Sequence, residues 1–178
     1  MKSIFRLCIC ALCALLLLSA TACDSASGNW RDDLTSAALN DTIQAALPAE
    51  DGWEGVSDDY ISPSAWGEDY ADYLALVVDH TITVSAESDM NVDEIGIFRA
   101  KNAKDAAKLK KFAESYLQAT KLRMAPLLES YNQAELPKLD CADVKVCGSY
   151  VLYTILSAED TAAAQSAFEK ALQIKSAD

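Results

Sequence analysis

The chain has 178 residues, 27 Asp/Glu against 15 Lys/Arg, one His, six Cys and 51% apolar residues. That length suits one domain with a real core. A net charge of −12 argues against nucleic acid, whose phosphates call for clustered basic residues. A single His excludes a His-rich metal centre, so a Ser-His-Asp or Cys-His site would have to be built on His80.

Residues 1–22 read as a secretory signal. Lys2 and Arg6 form the positive start, Leu7 to Leu18 is an unbroken apolar run, and Ser19-Ala20-Thr21-Ala22 is small and uncharged. The run is shorter than the ~20 apolar residues that carry a helix across a bilayer. Ala20-Thr21-Ala22 fits ordinary signal cleavage, which would release a secreted protein. The same residues resemble a bacterial lipobox, with Ala20 in the slot usually held by Leu. Cys23 follows at once, and a polar stretch follows it; an exposed thiol would serve a secreted product poorly. Lipidation of Cys23 is therefore expected, with 23–30 as a short linker and the protein held on the extracytoplasmic face of the cell membrane.

Only Cys141 and Cys147 then remain in the domain. If 141–147 were one extended strand, the two Cα atoms would lie ~20 Å apart, at ~3.3 Å per residue. A disulfide allows only ~7 Å. A bend near Ala142-Asp143 could still join them, but two separate thiols are the expectation. Two Cys and a distant His fall short of a zinc site. No metal or cofactor is called for.

Charge divides the chain. Residues 24–94 hold 17 acidic groups and one basic residue, Arg31, whereas 95–178 hold 12 basic and 10 acidic groups. Asp32 or Asp33 is predicted to cap a helix with Leu34, Ala38, Leu39, Ile43 and Leu47 on its apolar side, stopped by Pro48. From Ala49 to Tyr73 periodicity fails. Gly52, Gly55, Pro63 and Gly67 are mixed with Trp53, Tyr60, Trp66 and Tyr70 among eight carboxylates. This reads as a long irregular segment with one short helix near 66–74.

Regular structure resumes with a hairpin. Val77 to Ser85 is rich in β-branched residues, and Ile95 and Ile97 share a face of the next strand. Asn102, with Asp105 three residues on, is predicted to cap a long helix carrying Leu109, Phe112, Tyr116 and Leu117. Pro126 should kink or restart it. A second hairpin, 144–147 and 150–156, turns near Gly148, and Ser157 with Asp160 caps the last helix. The two ββα units suggest a faint repeat. The predicted fold is α+β: a four-stranded, mainly antiparallel sheet of two hairpins in a ββαββα domain over 75–175. Two helices cover one face, and an N-terminal helix and the irregular segment (31–74) precede it.

Asp93-Glu94-Ile95-Gly96-Ile97-Phe98-Arg99-Ala100-Lys101, then Tyr131 to Leu139, then Gly148-Ser149-Tyr150-Val151-Leu152, follow a recognisable order. It resembles the family of domain of unknown function 4358, found in lipobox-bearing proteins of Gram-positive anaerobes; Ser149 stands where Asn is common. The resemblance covers roughly 75–175 and implies no activity and no catalytic residues.

Candidate chemistry is sparse. His80 opens a β-branched run with no known motif beside it, as a half-buried strand residue would. Glu94 is the charged residue the resemblance picks out; its plain role is to pair at a sheet edge. No G-x-S-x-G, H-E-x-x-H, P-loop or Rossmann glycine run occurs, and no calcium-loop spacing. Trp53, Trp66 and Tyr70, among carboxylates, make 50–73 the best binding candidate together with Glu94, although such aromatics more often fill gaps beneath a loop. The lysines of the long helix could face anionic lipid, although a solvated face explains them equally. The expectation is an anchored binding or envelope-support module, not an enzyme. Two alternatives stand beside it: a carboxylate-based hydrolase of cell-wall or extracellular material, signalled by two carboxyls with raised pKa in one pocket, and a structural partner of another envelope protein.

Overall fold

The computed structural model describes residues 28–48, 52–86 and 90–174. The signal segment and Cys23 lie outside the described residues. Five strands form one open antiparallel sheet: β1 (Trp53–Gly55), β2 (Val77–Ser85), β3 (Glu94–Ala100), β4 (Asp143–Cys147) and β5 (Tyr150–Ile155), in the order β1-β2-β3-β5-β4. Six helices accompany it among the described residues: α1 (Ser36–Gln44), α2 (Pro63–Trp66), α3 (Tyr70–Leu74), α4 (Ala103–Tyr131), α5 (Leu136–Cys141) and α6 (Ala158–Leu172). No helix there is long and apolar enough to cross a membrane.

The two predicted hairpins are present, β2 with β3 and β4 with β5, and β3 pairs β5 at the centre. The sheet has five strands rather than four. The fifth, β1, is three residues cut from the segment expected to be irregular, too short for alternation to announce it. The expected short helix is two, α2 and α3, separated at Gly67, whose φ of 97° suits glycine.

β3 and β5 are buried along nearly their whole length because both faces of the sheet are covered. On one face Phe98, Ala100, Val151, Tyr153 and Ile155 meet Leu109, Phe112, Ala113 and Tyr116 of α4. On the other, Ile95, Ile97, Tyr150 and Leu152 meet Leu39 and Ile43 of α1 and Phe168 and Leu172 of α6. Each fully buried Val, Leu, Ile or Phe among them contributes about 1.5–3 kcal/mol. The helices after the two hairpins thus cover opposite faces, not one. The two connections are equal in length, with one residue between the last strand residue and the cap in each. β3 leaves the sheet from Ala100, in the α4 core, with Lys101 between it and the cap Asn102. β5 is followed directly by Leu156, in the opposite core, and then the cap Ser157. What differs is the middle residue: Lys101 is exposed, whereas Leu156 is buried in the opposite core and turns the chain toward that layer where α6 begins.

Local signals otherwise act as expected. Asn102 Oδ1 accepts from Asp105 N (3.0 Å), and Ser157 Oγ accepts from Asp160 N (3.1 Å). α1 begins later than predicted: Thr35, not Asp32 or Asp33, caps it, accepting from Ala38 N, while Asp33 takes the Arg31 guanidinium at 2.7 Å. α4 neither stops nor restarts at Pro126. Proline removes the bond to the carbonyl four residues back; here that residue is Leu122, 79% exposed, where water can replace the lost donor.

The strand ends define two poles. At one, Trp30 bridges Gln173 and packs beside Gly148. There Ala100 N also donates to Ser149 O (2.8 Å), and α4 begins. The opposite pole gathers Ser85, Asp93, Glu94 and Ile155, with α6 starting close behind.

Candidate functional site

Glu94 opens β3 on the face toward α4 and is only 5% exposed. Its carboxylate is held by three phenols. Tyr153 donates to Oε1 at 2.5 Å, Tyr60 donates to Oε2 at 2.7 Å, and the Tyr116 hydroxyl lies 2.9 Å from both oxygens. Tyr60 and Tyr116 are also 3.1 Å apart. Burial pushes the Glu94 carboxyl above its ordinary range, against the pull of the three hydroxyls and the Arg123 charge. The phenols are driven up in turn by burial and by the carboxylate's charge, so all three stay protonated donors.

Gly96 makes this arrangement possible. It sits two residues along β3 from Glu94 and opposite Tyr153. A Cβ at Gly96 would fall 1.9 Å from Cε1 of Tyr153 and 2.2 Å from its Cζ. The Tyr153 ring therefore lies across the bare glycine backbone and reaches diagonally to Glu94.

The segment before β2 closes the cluster from above. Trp66, 4% exposed, stacks on Tyr116 with centroids 3.8 Å apart and planes at 6°, and meets the edges of Phe98 and Tyr153. Its Nε1 is buried with no hydrogen-bond partner, a cost of about 1–3 kcal/mol that the aromatic packing offsets. Tyr73 stacks on Phe112 at 4.4 Å. Backbone bonds tie this segment at its ends, Val56 N to Ile82 O (3.1 Å) and Lys101 N to Leu76 O (3.0 Å). Between those ties the segment is fixed to the body through these side chains.

A cavity of about 130 Å³ opens beside the carboxylate, lined by Tyr60, Asn91, Asp93, Glu94, Thr120 and Arg123, with Val84, Met124 and Ile155 as its apolar wall. Arg123 Nη2 reaches Thr120 Oγ1 at 3.5 Å. Asp93, also raised by burial, has Lys138 Nζ 2.8 Å from Oδ1, a charge contact off the hydrogen-bonding direction. Lys138 also meets Glu135 Oε2 (2.9 Å), which accepts from Val92 N (3.1 Å). This network ties the turn before β3 to α5.

Of the predicted binding residues, Glu94 and Trp66 share one cluster through Tyr116. Trp66 belongs to the core and offers no platform to solvent. Tyr70 packs half-buried at the margin of the same core. Trp53 lies on β1, in a neighbouring cavity of about 200 Å³ with Gly52, Ser85, Lys138 and Asp160, which shares Asp93 with the first. His80 is half-buried in β2, its ring 6.0 Å from that of Phe98. Cys141 and Cys147 are both free thiols. Tyr60, Tyr116 and Tyr153 escape sequence reasoning as a group, because they stand 34, 22 and 59 residues from Glu94. The glycine two residues after the acid was the one local sign.

The fold and site define an α+β domain built on an open antiparallel sheet around a phenol-bound carboxylate. A Domain of unknown function (DUF4358) is found at residues 74–156. It contains Glu94, Gly96, Tyr116 and Tyr153, stops before α6, and leaves Tyr60 and Trp66 outside. No curated protein and no solved structure matches the chain.

Proposed function

We propose that the protein is a lipoprotein held by Cys23 on the extracytoplasmic face of the membrane, and that its domain binds a partner rather than catalysing a reaction. The observation that carries the reading is the occupancy of Glu94. Its two oxygens are engaged by three phenols from inside the fold, whereas a catalytic acid must reach an atom of its substrate. The adjoining cavity, at about 130 Å³, has room for one side chain. Arg123, Asn91 and Thr120 bring polar groups to it, so it suits a polar side chain presented by another envelope protein.

Crosslinking and pull-down of the full-length protein from its native membrane tests the reading. A partner captured by the wild type and lost with Arg123→Ala supports it, and Cys23→Ala is expected to shift the protein to the soluble fraction. Failure to recover a partner, with turnover of wall fragments, would overturn it.

One observation favours the hydrolase as a second reading: Asp93 and Glu94 line the same cavity, and burial raises both carboxyls. Under that reading Asp93→Asn and Glu94→Gln each abolish release of fragments from wall material. Unchanged release sinks it.

A further inference from the structure

The anchoring reading leaves open which way the domain faces. Trp30, the seventh residue after Cys23, is fixed at the pole where it bridges Gln173 and packs on Gly148. Seven residues span at most about 25 Å, so a lipid on Cys23 holds that pole close to the bilayer surface. The first turns of α4 start at the same pole. Residues 101–113 carry five lysines against one acid, Asp105, although the sequence before residue 95 is strongly acidic.

Pairing cancels part of this charge. Arg31 is matched by Asp33, Arg99 by Asp79 and Lys108 by Asp105. Lys101 Nζ donates to a backbone carbonyl, Ala75 O, at 2.7 Å, and its charge also acts on Asp105. Lys104 and Lys111 stand exposed without an ion pair among the described residues; the exposed acids near them in sequence or at this end are Glu114, three residues beyond Lys111, with Asp32, Asp33 and Asp72. The two helical turns that carry Lys104 to Lys111 span about 10 Å, within reach of the tethered pole.

We propose that this pole is a membrane-facing surface, on which Lys101, Lys104, Lys108 and Lys111 engage anionic lipid headgroups. It rests on the anchoring reading above. Charge complementarity selects the occupant: an acidic domain tethered to an anionic bilayer is repelled everywhere except at its basic end. The Glu94 cavity lies at the opposite pole, so this orientation directs it away from the bilayer, where a partner protein can reach it.

The test uses the lipidated full-length protein, purified from membranes and placed in vesicles of phosphatidylcholine alone or with about 30% phosphatidylglycerol. Lysine acetylation is read residue by residue by mass spectrometry. Lys104 and Lys111 should be modified about fivefold more slowly on the anionic vesicles. Lys121, farther along the same helix, should be modified equally on both. Salt at about 0.5 M should erase the difference. Lys104→Glu with Lys111→Glu, both on an exposed helix face, should remove the protection of Lys101 and Lys108. Equal modification on both vesicle types, with the diacylglycerol mass present on Cys23 and the protein sedimenting with lipid, overturns the surface and leaves the anchoring intact. Absence of that mass, with the protein in the soluble fraction, overturns the anchoring and the surface together.

Discussion

Replacing Gly96 by Ala is the sharpest test of how the Glu94 cluster is built. The new Cβ would lie 1.9 Å from Cε1 and 2.6 Å from the hydroxyl oxygen of Tyr153. Carbon atoms in contact settle at about 3.5–4.0 Å, so the ring must retreat by about 1.5 Å or more. A hydroxyl 2.5 Å from Glu94 Oε1 cannot keep its bond through such a shift. Overpacking costs about 1–3 kcal/mol, and a lost hydrogen bond to a charged group about 1.5–3 kcal/mol. Together they predict a loss of about 3–5 kcal/mol, a large part of the ~5–15 kcal/mol that holds a domain folded. Urea unfolding, followed by circular dichroism with an unchanged slope, measures it. The reasoning also names the partner. In a Tyr153→Leu background, which lacks Cε1, Cζ and the hydroxyl, the same Gly96→Ala change should cost less than about 1 kcal/mol. The coupling energy should therefore exceed about 2 kcal/mol. Equal costs in the two backgrounds would show that the glycine serves some other purpose.

Three more outcomes follow from the same geometry. Because burial holds the Glu94 carboxyl above its ordinary 4.5, the folded chain keeps a proton there that the unfolded chain has released. Stability should accordingly fall as pH rises from about 4.5 through the raised value, then level off. Glu94→Gln should remove much of that slope in melting temperature, leaving the part due to Asp93, and an undiminished slope would refute the assignment. Tyr60→Phe takes one donor from Oε2 and should cost about 1–2 kcal/mol; it should also speed proteolysis between Val56 and Leu74, and unaltered cleavage would show that Tyr60 does not hold that segment. Burial pushes the Cys147 thiol up to about 12, whereas Cys141 is half-exposed, so iodoacetamide should label Cys141 first in the native protein and both after denaturation. Equal native rates would contradict the burial of Cys147.

What could be read from the chain was local. Asn102 and Ser157 cap where their side chains meet a backbone amide three residues on, a signal contained in four letters. The two hairpins follow from alternation and from Gly148, whose φ of 59° suits the turn. The layer assignment failed because the two connections, Ala100-Lys101-Asn102 and Ile155-Leu156-Ser157, have the same length and differ in which core their middle residue joins, which no periodicity reports. β1 was missed because three residues hold no period. At the site, Glu94 was visible as a charged residue opening a strand, but its partners come from a 3₁₀ turn, a helix and a distant strand. Trp66 was read with the binding aromatics because composition cannot tell a ring that stacks on Tyr116 in the core from one that faces a ligand.

The bridge between Trp30 and Gln173 has a practical consequence. Arg31 N donates to Leu172 O at 2.9 Å and Ile174 N to Asn29 O at 3.1 Å, so the described chain begins and ends as two adjoining threads. Covalently the domain is a line; spatially it is nearly a ring. A short Gly/Ser joint between residues 174 and 29 would close it, and the chain could then be reopened at the exposed Gln133–Ala134 connection after α4. Such a circular permutant keeps every strand pairing and the tyrosine cluster intact. Its new ends lie beyond the long helix, so a fluorophore or affinity handle could be fused there.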